Sequence, residues 1–388
     1  MKHPYIPYGR QHIDEEDIQA VVEVLKSDFL TTGPKIHEFE KKVADYVGCK
    51  YAVCIGTGTA ALHAACYAAN ISADDEVITT PMTFAATSNS ILYLGGKPVF
   101  ADIDPHTYNI DPLEIEKKIT DKTKAIIAVD FTGQPAELFK IKALAQRHNL
   151  IFIEDAAHSL GAEIMDSKGT WHKIGSIAHM TTFSFHPVKH ITTAEGGMVC
   201  TNDPKLYEKL ILFRTHGITR SPELLIDKSH SKWYYEQQLL GYNYRLSDLQ
   251  AALGISQLNK LNSFIKRRRE IAVLYDKAFS ESIFKNKITI PYQASHTRSS
   301  YHIYILKFNL SAIGKSREEI FNKLSDLNVG VNVHYIPVYY HPYYQSLGYS
   351  KGLCPIAEEL YEGIITIPLY PGMSNEDVNY VIKSIKEV

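Results

Sequence analysis

The chain is poor in cysteine, with Cys49, Cys54, Cys66, Cys200 and Cys354 its only five among 388 residues. They are scattered, odd in number and never spaced as CxxC, which excludes a disulfide scaffold or a zinc ribbon and fits a reducing cytoplasm. Neither sign of charge dominates: 41 Lys+Arg stand against 43 Asp+Glu, a formal net charge of -2. A balance this even provides no basic stripe for a phosphate backbone, so nucleic acid is not an expected partner. Long apolar runs are missing too. The longest, such as 51–55 and 125–129, are far too short to span a bilayer, so no membrane is expected. The opening MKHPYIPYGRQHIDEED has no apolar core and turns acidic at once, unlike a signal peptide. The seventeen histidines show no HExxH or comparable spacing, and no metal site is read from them.

What is present is alternation. Between residues 50 and 200, short β-rich runs (51–55, 76–79, 98–101, 125–129, 150–153) take turns with stretches that suit helices (59–69, 84–94, 113–119, 137–148). This rhythm predicts an α/β fold, a mostly parallel sheet with helices on both faces. Upstream, Asp14 reads as an N-cap, and Ile18, Val21, Val22, Leu25 and Phe29 keep helical spacing. Downstream, Ser247-Asp248-Leu249-Gln250 opens a long helix running towards Phe279, with Gly254 a weak point inside it. Strand, helix, strand, helix, strand and helix then follow at 301–308, 317–327, 331–335, 356–362, 364–368 and 377–388. The expected organisation is a large domain with an N-terminal arm over 1–250 and a smaller α+β domain over 251–388, the long helix joining them.

Ligands of such sheets bind at the carboxyl ends of the strands, and three features fall there. Ile55-Gly56-Thr57-Gly58-Thr59-Ala60 leaves a strand and opens a helix, where small residues and free N–H groups suit an anion. Its spacing fails both the dinucleotide fingerprint and the P-loop. The run 150–153 ends in Glu154-Asp155, whose side chains point to opposite faces, so only one faces a site. In Phe183-Ser184-Phe185-His186-Pro187-Val188-Lys189-His190, a lysine sits among apolar neighbours, where desolvation lowers its pKa and frees the amine for attack on a carbonyl. Taken singly, these are a turn, a capping acid and a solvated lysine. Together, and in this order, they match what pyridoxal phosphate needs: a phosphate cradle, an acid for the pyridine nitrogen, and a lysine for the aldehyde.

The motifs LTTGPK, GTGTAAL, TTPMTFAATSN, EDAAHSLGA, FSFHPVKHITTAEGGMV and LGYNYRLSDLQAALG together resemble the DegT/DnrJ/EryC1/StrS sugar aminotransferases, over nearly the whole chain. The resemblance implies a fold-type I pyridoxal-phosphate transferase with a three-layer α/β/α large domain. It makes Lys189 the catalytic lysine that bonds to the cofactor and Asp155 the partner of the pyridine nitrogen. It places His158 at the phenolic oxygen, Phe84 on the ring, and Thr57, Gly58 and Ser184 at the phosphate. Asn243 would reach the phosphate of a neighbouring subunit, so a homodimer with shared sites is implied. A branch that dehydrates sugars carries His in place of the lysine, and Lys189 argues against it.

WYYEQQLLGYNYRL, HPVKHITTAEGG and HYIPVYYHPYY further resemble the branch serving pseudaminic acid biosynthesis. That branch moves an amino group from L-glutamate to C4 of UDP-2-acetamido-2,6-dideoxy-β-L-arabino-hex-4-ulose. The match puts Tyr8, Asp28, Phe29, Leu30, Thr31, His334, Tyr335, Ile336, Pro337 and Tyr344 around the nucleotide sugar. Sister 4-aminotransferases making bacillosamine, viosamine or perosamine precursors share the scaffold. A regulatory protein that binds the cofactor without turnover is the reading outside enzymes. For the diphosphate, Lys35, Arg220 and the run Arg267-Arg268-Arg269 are candidates, the run reading more simply as a solvated helix face. Arg214, His216 and Arg245 are left open, and the tyrosines at 335, 339, 340, 343 and 344 fit a sugar pocket or a dimer interface.

Overall fold

A computed structural model of the chain describes residues 3–229 and 231–388. Met1 and Lys2, where the polar start begins, lie outside them. Strands β1 (Tyr51–Ile55), β2 (Glu76–Thr79), β3 (Lys97–Phe100), β4 (Thr123–Val129) and β5 (Ile151–Asp155) alternate with helices. These are α3 (Gly58–Ala68), α4 (Ala86–Leu92), α5 (Pro112–Lys118) and α6 (Leu138–Arg147), preceded by α1 (Glu15–Leu25) and α2 (Pro34–Val47). A short hairpin, β6 (Glu163–Met165) and β7 (Trp171–Lys173), leads to β8 (Met180–Ser184), β9 (Gly197–Thr201) and α7 (Pro204–Arg214). Seven strands form one sheet in the order β1-β9-β8-β5-β4-β2-β3. It is parallel from β8 to β3, and β9 runs antiparallel between β1 and β8.

Alternate residues of each strand enter separate cores, as the two-residue strand period requires. Ala52 and Cys54 of β1, Ile126 and Ala128 of β4 and Phe152 of β5 pack with α2 and α6 on one face. Val53, Ile55, Ala125, Ile127 and Ile153 pack with α3 and α7 on the other. The result is three layers, α/β/α. Helix α8 (Asp248–Phe279), 32 residues long, gives Leu258, Leu261 and Ile265 to the first core. It gives Ile271, Tyr275 and Phe279 to a further core built with strands Tyr304–Phe308 and Ile364–Ile367. Its start is fixed by a capping box between Ser247 and Gln250. The Asp248 carboxylate accepts the N–H groups of Gly33 and Lys35 at 2.7 and 2.9 Å, satisfying orphan donors at the start of α2.

Two expected elements differ. α1 stops at Leu25, because the Ser27 hydroxyl turns back onto the Val24 carbonyl at 2.9 Å, and Phe29 falls in the following exposed turn. The apolar alternation at 331–335 does not form a strand. The Asn332 side chain accepts the Val333 N–H locally at 2.8 Å, and one bridge to Thr366 is all the pairing that remains. Among the described residues, no helix is long and apolar enough to cross a membrane.

Candidate active site

The carboxyl ends of β1, β2, β4, β5 and β8 open on one cavity of about 830 Å³. Thr57, Gly58, Phe84, Asp155, His158, Ser184 and Lys189 line it, with Tyr8, His334, Tyr335 and Ile336 on the other side. The remaining expected residues do not line it. Asp28, Phe29 and Leu30 lie exposed, and Thr31 is bridged to Ser247. Asn243 is exposed beside Thr215, and Pro337 enters the turn at 338–340. Tyr344 is corrected outright. Its side chain is buried against Phe100 and Tyr349 with its hydroxyl on Asn89 at 2.7 Å, which makes it a core residue.

The anion cradle follows from local geometry. Thr57 caps α3, its hydroxyl taking the Ala60 N–H at 3.0 Å, so the N–H groups of Gly58 and Thr59 have no partner within the helix. Ser184, at the end of β8, faces them closely. A Cβ added at Gly58 would stand 2.8 Å from the Ser184 Cβ and 2.9 Å from its Oγ. Only glycine keeps hydroxyl and helix start together with space between.

Asp155 ends β5 facing the cavity, while Glu154 is buried on the reverse face against Thr181. The Thr87 hydroxyl donates to Asp155 Oδ2 at 2.7 Å and meets Thr83 Oγ1 at 2.7 Å, and the Ala157 N–H reaches Oδ1 at 3.2 Å. Burial raises the Asp155 pKa, while these donors and the nearby Lys189 charge pull it back down. Lys189 moves the other way. Desolvation lowers it to about 8, with Asp155 opposing and Arg268 adding to the fall. His158, His190 and His302 are buried around it and held well below the usual imidazole range, chiefly by desolvation and also by the Lys189 charge. His158 Nε2 meets the Tyr335 hydroxyl at 3.1 Å, and Lys189 Nζ lies 3.4 Å from His302 Nε2.

Sequence reasoning missed Thr87 and His302. Thr87 stands one helical turn after Thr83 in the quoted MTFAAT motif, a signal within reach. His302 comes from a segment far along the chain, and no local pattern marked it. The arginine run is also corrected. Arg267 bonds the Met373 carbonyl at 2.8 Å and Arg269 the Ser299 carbonyl at 2.9 Å. Arg268 is fully buried, donating to the carbonyls of Tyr301, His302 and Leu369 at 3.1, 2.9 and 3.1 Å. This is no solvated face. Arg214 is buried in an ion pair with Glu40, Lys35 pairs with Glu38, and Arg220 lies over the Tyr235 ring. Among the described residues, no arginine lines the cavity.

A relative from Bacillus subtilis, the spore coat polysaccharide biosynthesis protein SpsC, is 41% identical over 99% of this chain and 97% of its own. The UDP-4-amino-4,6-dideoxy-N-acetyl-beta-L-altrosamine transaminase of Campylobacter jejuni is 39% identical over 97% of this chain and 95% of its own. Among solved structures, Helicobacter pylori PseC, an aminotransferase involved in the biosynthesis of pseudoaminic acid, superposes with a TM-score of 0.90. It is 34% identical, covering 99% of this chain and 98% of that one. The model of the DegT/DnrJ/EryC1/StrS aminotransferase family matches residues 11–386, and the chain belongs to that family, as a sugar aminotransferase.

Proposed function

We propose that this aminotransferase uses pyridoxal phosphate to move an amino group from L-glutamate to C4 of a UDP-linked 4-keto-6-deoxy-N-acetylhexosamine, UDP-2-acetamido-2,6-dideoxy-β-L-arabino-hex-4-ulose, as in pseudaminic acid biosynthesis. The observation that carries the cofactor is the convergence, in one cavity, of an amine held near pKa 8, an acid at the end of β5, and a hydroxyl-and-N–H cradle. The donor set suits the group in kind: free helix-start N–H groups for a dianionic phosphate, a carboxylate for a pyridinium, a desolvated amine for an aldehyde. When bound, pyridoxal phosphate supplies an electron sink that lets a C–H bond next to the attached nitrogen ionise. Lys189 Nζ would hold it, with Asp155 at the ring nitrogen, and Gly58, Thr59 and Ser184 at the phosphate.

The chain's own residues do the rest. With a pKa of about 8, about a tenth of the Lys189 amine is neutral at pH 7, against less than a thousandth for an ordinary lysine. The neutral amine would take the proton from Cα of the amino donor, becoming the ammonium, and in the second half-reaction the ammonium form would give one to C4 of the sugar and return to the neutral amine. Thr87 and the Ala157 N–H keep the Asp155 carboxylate aimed at one place. His158, held by Tyr335, would contact the phenolic oxygen. Tyr8, His334 and Ile336 form the wall opposite, on the side from which a nucleotide sugar would enter.

A second copy of the chain completes the site in this reading. Phe84 stands at the cavity with 63% of its surface exposed, and Phe29 and Leu30 are exposed beside the start of α8. Such apolar side chains are covered when two subunits pack. Asn243 then faces the neighbour's phosphate. The identity with the Campylobacter jejuni transaminase supports the sugar.

The test begins with reconstituted full-length protein, reduced with borohydride and digested. The cofactor mass is expected on the peptide carrying Lys189, and Lys189→Ala is expected to lose both that adduct and all turnover. Glutamate with the UDP 4-keto sugar is then expected to give the 4-amino product, identified by NMR. Faster turnover of a GDP- or dTDP-linked 4-keto sugar would overturn the sugar assignment. An adduct on another lysine would overturn the site.

A further inference from the structure

The segment 299–303 brings His302 to Lys189, and the His302 backbone is held at both its N–H and its carbonyl. The His302 N–H donates to the Thr132 carbonyl at 2.8 Å, and its own carbonyl accepts Arg268 Nη1 at 2.9 Å. The Ser300 hydroxyl donates to the His158 carbonyl at 3.0 Å, so one stretch of chain fixes both residues. The His302 ring packs against His158 at 4.3 Å and His190 at 5.6 Å between centroids. Its Nδ1 is buried with no partner among the described residues, so its one polar contact is Nε2 on Lys189 Nζ at 3.4 Å. A buried guanidinium spent on three backbone carbonyls is an expensive way to hold a loop. Here the loop it holds delivers an imidazole to the reacting amine.

We propose that His302 is a positioning residue that receives the Lys189 amine whenever that amine is not bonded to the cofactor, and that Arg268 holds His302 in place for this. The inference rests on the role of Lys189 proposed above. From its displacement by the amino donor until the aminated product is released, the lysine nitrogen would be off the cofactor carbon and must wait nearby with its N–H groups satisfied. The neutral His302 Nε2 accepts one of them, keeping Nζ at the inner wall while leaving its approach to the cavity open. Other groups facing Lys189 are Asp155 from β5, Arg268 from α8, and the neutral rings of His158, His190 and His334. Of these, only Asp155 favours the ammonium; in the proposal, His302 Nε2 at 3.4 Å adds a neutral acceptor beside it.

The test reads the amine directly. The full-length protein loaded with pyridoxamine phosphate, which leaves Lys189 unbonded, is pulsed with acetic anhydride across pH 6–10. Acetylation of the Lys189 peptide is followed by mass spectrometry. In the wild type the midpoint is expected near 8. In His302→Phe, which keeps the ring but loses the acceptor, it is expected to fall by about one unit, the worth of one hydrogen bond to a charged group, giving about fivefold faster acetylation at pH 7. His302→Gln, whose amide oxygen accepts, is expected to restore most of the wild-type midpoint. Equal midpoints in Phe and Gln variants, or a rise in the Phe variant, would overturn the proposal and leave His302 a packing residue. If the Phe variant does not fold, His302→Leu makes the same comparison with Gln. Borohydride capture on Lys189 in the wild type is scored separately, so a failed cofactor assignment is distinguishable from a failed role for His302.

Discussion

Replacing Arg214 by methionine removes one half of a buried ion pair that closes an edge of the sheet. β1 is an edge strand, and the N–H and C=O of Cys54 point away from β9. The N–H donates to Glu40 Oε1 at 2.9 Å, the carbonyl accepts Arg214 Nη1 at 2.8 Å, and the two side chains bond each other. Acid and base thus take the place of a missing neighbour strand, tying α2 and α7 to β1. In Arg214→Met the Glu40 carboxylate stays buried and the Cys54 carbonyl loses its donor. Breaking a buried pair from one side costs about 3–5 kcal/mol. The low end applies, since Glu40 keeps the Cys54 N–H and a His37 ring nitrogen at 3.2 Å. At about 1–2 °C per kcal/mol for a chain of this length, a loss of about 3 kcal/mol lowers Tm by roughly 3–6 °C. Adding Glu40→Gln removes the stranded charge, and the amide can accept the N–H and donate to the carbonyl. The double variant is therefore expected to recover most of the loss. Thermal unfolding of the two single variants and the double reads this directly, alongside kcat/KM at 20 °C, where all remain folded. Because Arg214 does not line the cavity, kcat/KM per folded molecule is expected to stay within a factor of two or so of wild type. A Tm drop below about 2 °C in Arg214→Met, or a double variant no better than it, would refute the edge argument. A collapse of kcat/KM in folded protein would give Arg214 a role at the substrate site.

Two further substitutions test the packing behind the cavity. Burial and the neighbouring Asp130, itself pushed up to about 6 mainly by burial, raise the Glu154 pKa well above the ordinary carboxylate range. The folded chain thus holds a proton that the unfolded chain releases, and stability falls as pH climbs from about 4.5 towards the raised value. Glu154→Gln is expected to flatten the decline of Tm between about pH 5 and 8 and to raise Tm at pH 8. An unchanged slope would mean that the carboxyl is not protonated in the fold. In Gly254→Ala, the new Cβ would lie 2.6 Å from Phe39 Cζ and 2.8 Å from Thr193 Cγ2. Alanine gains about 1 kcal/mol of helix propensity, but overpacking costs about 1–3 kcal/mol. Packing wins, so Tm is expected to drop, and an equal or higher Tm would show that the Phe39 ring can yield.

The parallel core was legible because its strands are buried on both faces and read as unbroken apolar runs. β1 and β2 have the bounds that their runs predict, β4 starts two residues before its run, and β5 starts one residue late and runs two residues further. The cavity's near half was legible for a related reason. Residues at strand ends are neighbours in sequence of the runs that place them, so Thr57 and Asp155 could be found from β1 and β5, whereas no run marked β8 (Met180–Ser184) and Ser184 came from the family resemblance. The stretch at 331–335 misled because its alternation describes side chains, whereas a strand also needs a backbone partner, and Thr366 offers only one bridge. Tyr344 misled in the opposite way. A tyrosine-rich stretch suits a sugar pocket and a core equally, and only the Asn89 oxygen waiting for its hydroxyl decides for the core.

Arg268 shows where a signal was present and overridden. Three consecutive residues of a helix point about 100° apart, so Arg267, Arg268 and Arg269 cannot share one solvated face. Leu261, Ile265, Ala272, Tyr275 and Phe279 mark the buried stripe of α8 at intervals of three, four and seven residues. The gap between Ile265 and Ala272 is one full repeat, and position 268 fills it. A charged residue on an apolar stripe must find polar partners inside or unfold the helix around it. The carbonyls of Tyr301, His302 and Leu369 meet that demand. The periodicity therefore fixed the burial of Arg268 before any tertiary contact was known, and only the identity of its partners, with the imidazole they bring to Lys189, depended on the fold.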